Sequence, residues 1–322
     1  MKNNVLWGAF LCFIAAVSWG AMFPVAHAAF QYIDPFYFTM IRYGAVTLIL
    51  VVMLFWKEGK AAFRTEGRGL SLWFFGTMAF TVYNLLIFWG EDLMGQSGVM
   101  VASIMESLMP MISILIVWLF LRKRPHSFTA ICVLVSFVGA MFVITKGDIG
   151  AFLGATDDII PSILMFIAVI GWVVYTMGGT KFSGWSALRY STLSCLLGTV
   201  TAGVFVAIAT LVGYVSVPTM EVVITTGPHS LFMIIFPGLI ALLGWNVGVS
   251  ILKPINALLF INFVPVTTLL ISIYQGHTVT KFDIIGTVLI IISLLANNIF
   301  VRLQKKEYNR TISSSKLQEQ VS

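Results

Sequence analysis

Charge is what this chain has least of. Lys and Arg number 19 and Asp and Glu 13, together 10% of 322 residues. A soluble domain carries about 25%, so the polar surface of a water-facing fold is missing. A soluble enzyme, a disordered chain and a coiled coil are all excluded. Cysteine is scarce too. Cys12, Cys132 and Cys195 fall inside apolar runs, at no spacing a disulfide framework or zinc site uses. They read as small packing residues. The four histidines share no i, i+4 spacing, so no metal is expected. No Gly-x-x-x-x-Gly-Lys phosphate loop is present, which excludes nucleotide-driven pumping. No cofactor and no nucleic-acid partner are expected.

Hydrophobicity is abundant. Mean hydropathy is +0.96 and 59% of residues are apolar. Ten apolar runs, over 5–27, 36–56, 70–90, 97–121, 127–145, 159–180, 187–212, 231–252, 256–275 and 283–303, each approach the roughly 20 residues that cross a bilayer as a helix. Ala26-His27-Ala28 imitates a signal cleavage site, but the run before it exceeds the usual h-region of about 7–15 residues. The expected fold is therefore all-α and polytopic, with ten transmembrane helices.

The basic residues set an orientation. With the N-terminus inside, the inner segments hold Lys2, Lys57, Lys60, Arg64, Arg68, Arg122, Lys123, Arg124, Lys181, Arg189, Lys253 and the five basic residues from Arg302 onward. The outer loops hold only Lys146 and Lys281, and Arg42 alone lies deep within a run, Arg189 and Arg302 standing at run ends. Carboxylates favour the outer side, at Asp34, Glu91, Asp92, Asp148, Asp157, Asp158, Glu221 and Asp283. Both termini are expected to be cytoplasmic, in a bacterial plasma membrane. Residues 304–322 read as a polar, disordered tail.

The chain also repeats itself. Laying the fourth and fifth runs on the ninth and tenth matches Ala102, Pro110, Leu115 and Val133 to Ala257, Pro265, Leu270 and Val288. Arg42-Tyr43 likewise falls on Arg189-Tyr190. Five helices per half is an odd number, so the halves, 1–146 and 156–303, must be inverted in the membrane. Inverted repeats with a midplane site are the architecture of secondary transporters.

At these residues the chain resembles the drug/metabolite transporter superfamily, specifically ten-helix proteins built from two EamA-type repeats. The resemblance rests on Ser18-Trp19-Gly20 with Phe23, on Met40-Ile41-Arg42-Tyr43, and on the helices around Pro110 and Pro265. Gly244-Trp245-Asn246-Val247-Gly248 before Lys253-Pro254 is similar to aromatic-amino-acid exporters of the superfamily. Many relatives carry Gly-Glu after the fourth helix of each repeat; here those places hold Leu121-Arg122 and Gly276-His277. The resemblance implies a secondary active transporter exporting a small organic metabolite, such as an amino acid, by alternating access. The expected partners are the surrounding bilayer and, if transport is coupled rather than facilitated exchange, a proton as coupling ion; the assembly is expected to be a monomer or homodimer. An intramembrane enzyme or a non-transporting scaffold is the competing reading.

Two charged groups, Arg42 and Glu106, stand deep inside the runs rather than at their ends. Such groups cost about 2.5–3.5 kcal/mol on insertion scales and are functional candidates by default. Glu106 lies roughly 14 Å into the fourth run and Arg42 roughly 9 Å into the second, at 1.5 Å per residue. Glu106 is expected to titrate or hold a cationic group, and Arg42 to be its countercharge or a carboxylate clamp. Pro110 and Pro265 should kink their helices, because proline cannot bond four residues back. Ser107 and Asn262 flank these kinks. Trp19, Tyr83, Asn84, Trp172, Tyr175, Trp245 and Asn246 add aromatic and amide groups at depth, which suits an amphipathic metabolite. No catalytic residue is expected.

Overall fold

The computed structural model describes residues 2–122, 124, 126–148, 156–276, 279–293, 295–297, 299–300 and 303. The tail from Gln304 and the position of His277 lie outside the described residues. The helices run α1 Lys2–Phe30, α2 Pro35–Glu58, α3 Gly69–Leu93, α4 Gln96–Ser107 continued by Met109–Leu121, and α5 Ser127–Thr145. They continue as α6 Thr156–Gly178, α7 Ala187–Leu211, α8 Gly227–Leu252, α9 Pro254–Tyr274 and α10 over 281–293. Seven are long and apolar enough to cross a membrane, and α4, bent by 44° at its break, makes an eighth. The expected spans at 127–145 and 283–303 overlap α5 and α10, which are helical but are not among the helices that reach spanning length among the described residues. Helix starts follow local chemistry. Asp34 accepts the Phe36 N–H at 2.8 Å ahead of Pro35, and Ser186 accepts the Arg189 N–H at 2.9 Å, both N-caps of the usual kind.

Outward faces are apolar, with Leu48, Val52, Leu134, Leu211, Leu270 and Ile292 exposed, as lipid-facing helices require. Lipid tails give no hydrophobic drive for helix association, so small residues and interhelical hydrogen bonds supply it. Gly76 of α3 and Gly198 of α7 leave no room for a Cβ, since each backbone lies against the other helix. Thr81 donates to Gly198 O at 2.8 Å. Thr47 of α2 meets Thr199 of α7 at 3.2 Å, Thr268 of α9 donates to Gly20 O of α1 at 2.8 Å, and Ser136 meets Ser293 at 2.6 Å beside the Gly139–Gly286 contact of α5 and α10.

The neighbour pattern is symmetric. α1 packs on α8 as α6 packs on α3, α2 meets α7, α4 meets α9, and α5 meets α10. Swapping each helix for its counterpart in the other half leaves these pairs unchanged. The third helix of each half also contains a π-helical stretch, Thr77–Tyr83 in α3 and Ile234–Ile240 in α8.

One placement corrects the sequence reading. Glu91 and Asp92, expected in an outer loop, lie in the last turns of α3, which runs on to Leu93. The Glu91 side chain is fully buried with neither carboxylate oxygen bonded. Arg42 and Glu106 are therefore not the only ionisable groups enclosed by the bundle.

Candidate functional site

The π stretch of α3 ends at Tyr83 and Asn84, and turns both side chains into the bundle. Tyr83 is 4% exposed and its hydroxyl donates to Glu106 Oε1. Glu106 Oε2 is buried with no partner. Asn84 gives its Nδ2 to Ala79 O at 2.7 Å, a carbonyl of that same wide stretch, and presents Oδ1 to Arg42 Nη1 at 3.5 Å.

Arg42 is buried on α2 and poorly satisfied. Its Nη1 and Nη2 reach Met22 Sδ only at 3.9 Å, and Nε has no partner. Its guanidinium lies 4.6 Å from the Tyr43 ring centroid and 5.8 Å from that of Phe88. Ring contacts of this kind give about 0.5–2 kcal/mol, whereas removing an ion from water costs several. The expected Arg42–Glu106 ion pair is not formed: among the described residues no carboxylate oxygen lies within 4.0 Å of Arg42. Tyr83 and Asn84 stand on the helix between them and take up their facing atoms.

Aromatic rings extend the cluster. Tyr83 lies 5.1 Å from Trp172, Trp172 lies 5.1 Å from Trp19, and Trp19 lies 5.1 Å from Trp245. The Trp19 indole donates to Pro237 O, in the π stretch of α8, at 3.2 Å. Trp245 donates to Thr176 Oγ1 at 3.2 Å. Tyr175 packs 5.3 Å from Trp172, and its hydroxyl accepts from Asn246 Nδ2 at 2.9 Å. Asn246 also donates to Ser191 Oγ at 2.8 Å.

Nine of the candidate residues thus meet in one buried cluster: Trp19, Arg42, Tyr83, Asn84, Glu106, Trp172, Tyr175, Trp245 and Asn246. Ser107 and Asn262 do not join it through side-chain bonds. Each bonds back into its own helix, to Ile104 O at 2.7 Å and to Leu259 O at 2.8 Å. Both sit at backbone breaks ahead of Pro110 and Pro265. α4 breaks at Leu108, whose N–H returns to Met105 O at 3.1 Å, and α9 tightens to a 3-10 turn over Leu259–Asn262. Tyr190, Ser191, Ser194 and Thr176 were not anticipated. Tyr190 stacks on Tyr175 at 5.1 Å and donates to its carbonyl at 3.0 Å. Its match to Tyr43 in the repeat was the signal that could have found it.

Two cavities flank the cluster at opposite ends of the bundle. One of about 400 Å³, beside the α6–α7 and α8–α9 connections, is lined by Thr176, Trp185, Tyr190, Asn246, Ser250 and Lys253 among others. The other, about 210 Å³, is lined by residues including Gln96, Met100, Lys146, Ser272 and Asp283. Asn246 belongs both to the larger cavity and to the cluster.

The family model that matches this chain is the EamA-like transporter family, over residues 6–145 and again over 159–299. The chain is 52% identical over 319 residues to a protein of Bacillus subtilis (strain 168) named "Uncharacterized transporter YrdR", covering 97% of this chain and 99% of that one. It is 25% identical over 287 residues to "Uncharacterized transporter YyaM" of the same organism, covering 89% and 92%. A solved crystal structure shares the fold with a TM-score of 0.66, at 17% identity, over 94% of this chain and 99% of that one. Two matched repeats spanning nearly the whole length, on an all-helical bundle of apolar spans, make this chain a member of the EamA-like transporter family and a membrane transporter.

Proposed function

We propose that the protein is a secondary active exporter of a small amphipathic metabolite, an amino acid or a similar compound, working by alternating access. The observation that carries this reading is the central cluster, where rings and amides enclose Glu106 and Arg42 while Glu106 Oε2 and Arg42 Nε keep unused hydrogen-bonding capacity. The cavities at the two ends supply the access routes. The larger lies beside Lys181, Arg189 and Lys253, the end that the basic-residue count makes cytoplasmic, which supports loading from within. The halves act as inverted repeats, residues 1–146 against 156–303, in a plasma membrane with both termini inside. Glu106 carries the coupling proton as the cluster is exposed to each side in turn.

The test is transport into proteoliposomes of defined orientation, with and without a pH gradient. Glu106→Gln keeps size and hydrogen bonding but removes titration. It should abolish gradient-driven accumulation and retain exchange between equal pools. A Glu106→Gln protein accumulating substrate with wild-type rate and pH dependence would remove proton coupling from the reading. Cysteines placed at Lys60 and Asp157 should label from opposite faces; labelling from one face refutes the orientation.

A further inference from the structure

Resting on that reading of the central cluster, we propose that the transported compound carries a carboxylate and that Arg42 grips it through its Nε and Nη2 edge. A guanidinium carries five N–H donors and no acceptor, so a buried Arg42 calls for acceptors on each of its edges. Asn84 occupies Nη1 at 3.5 Å. The opposite edge is left with Nε unpartnered and Nη2 against a thioether at 3.9 Å. Two parallel N–H donors on one edge match the two oxygens of a carboxylate, the geometry of the strongest charge-assisted pairs.

Three further features agree. Glu106 does not occupy that edge: its Oε1 accepts from Tyr83, and neither of its oxygens lies within 4.0 Å of the Arg42 nitrogens. The larger cavity has Lys253 as its one charged lining residue and no carboxylate, so it favours anions over cations. The walls beyond Arg42 are the rings of Tyr43 and Phe88, apolar surface for the body of the molecule. A single fork suits one carboxylate better than a phosphate dianion, whose second charge would find no cation in the cluster.

The experiment is binding by isothermal titration calorimetry to purified protein in nanodiscs. Indolyl, phenyl and branched-alkyl scaffolds are each offered as carboxylate, primary amide and amine. At least one carboxylate should bind, with its amide and amine at least about tenfold weaker through loss of the charge-assisted pair. Arg42→Gln should erase that preference without lowering the melting temperature. Arg42→Lys should keep the charge yet lose most of the affinity, because the fork is gone. Equal binding of amide and carboxylate, a carboxylate preference that survives Arg42→Gln, or no binding at all would overturn the proposal. Trp245→Ala separates the two readings. Charge-blind binding that falls in Trp245→Ala removes the carboxylate and keeps the central site. Binding indifferent to both substitutions removes both.

Discussion

Arg42 and Arg189 each precede a tyrosine, one in each half of the chain, yet their surroundings are opposite. Arg189 stands in the first turn of α7, where its Nη2 reaches Glu66 Oε1 at 2.7 Å and Arg64 O at 2.5 Å. Its guanidinium covers the Trp185 ring at 4.0 Å, and Trp185 donates to Glu66 Oε2 at 2.9 Å. Arg42 stands about two turns into α2, buried, without an anion. One arginine ties the α2–α3 connection to the α6–α7 connection through its Nη2, with Nε left unbonded; the other has no anion on any nitrogen among the described residues. The same side chain stands in both halves, and its depth in the bundle goes with its use. At the wet rim a cation finds partners on neighbouring loops, whereas at depth each partner has to be built in.

The largest effect should come where the two regions share a support, the α3–α7 crossing. Gly198→Leu drives a side chain into the Gly76 backbone. Overpacking costs about 1–3 kcal/mol and sometimes more, so the yield of monodisperse protein after detergent extraction should collapse. Normal yield would mean that the two regions are mechanically separate.

Next comes the sign of paired substitutions. Arg42→Met removes an unpaired buried charge and should leave the melting temperature unchanged or raise it. Arg189→Met loses the stack on Trp185, about 0.5–1 kcal/mol at an exposed site, and should lower it. Equal losses in both would dissolve the contrast between the two arginines.

A pH effect should follow from Glu66. The Trp185 indole and then the Arg189 guanidinium hold its carboxyl below the usual carboxylate range. A lowered folded-state pKa stabilises above the unfolded value, and the benefit fades as pH falls through the folded one. The melting temperature should therefore drop on acidification below the ordinary carboxylate range, by less in Glu66→Gln. A wild-type curve identical to that of Glu66→Gln would mean that the loop tie contributes nothing.

The smallest effect on transport belongs to Tyr190, which touches both regions, packing 5.1 Å from Phe182 and stacking on Tyr175. Tyr190→Phe keeps the rings and loses one bond to Tyr175 O, worth about 0.5–1.5 kcal/mol. Transport should change little. Abolished transport would move Tyr190 into the binding site.

The sequence carried the cluster better than it carried its supports. Arg42 and Glu106 stood out because a charge in an apolar run has few explanations, and Trp172, Trp245 and Asn246 because aromatic and amide groups at that depth need partners. Ser107 and Asn262 were grouped with them through the repeat match, but alignment fixes position along a helix and not the rotation of the side chain, and both bond to their own backbone. Glu91 was placed in a loop because hydropathy falls before the helix ends. The tie between Glu66 and Arg189 was invisible, since it joins two polar connections far apart in the chain with no local pattern. The two π stretches were hidden for a different reason: they are defined by which carbonyl each N–H chooses, and composition does not record that choice.

Those stretches have a mechanical consequence. A π turn holds more residues than an α turn, and winding it down by one residue rotates everything beyond it by about 100°. In α3 the widened turn lends the Ala79 carbonyl to Asn84, and in α8 it lends the Pro237 carbonyl to Trp19. Rewinding either stretch would move that carbonyl relative to the side chain that donates to it. The Asn84 bond to Ala79 O and the Trp19 bond to Pro237 O therefore couple the winding of each third helix directly to the cluster, once per repeat.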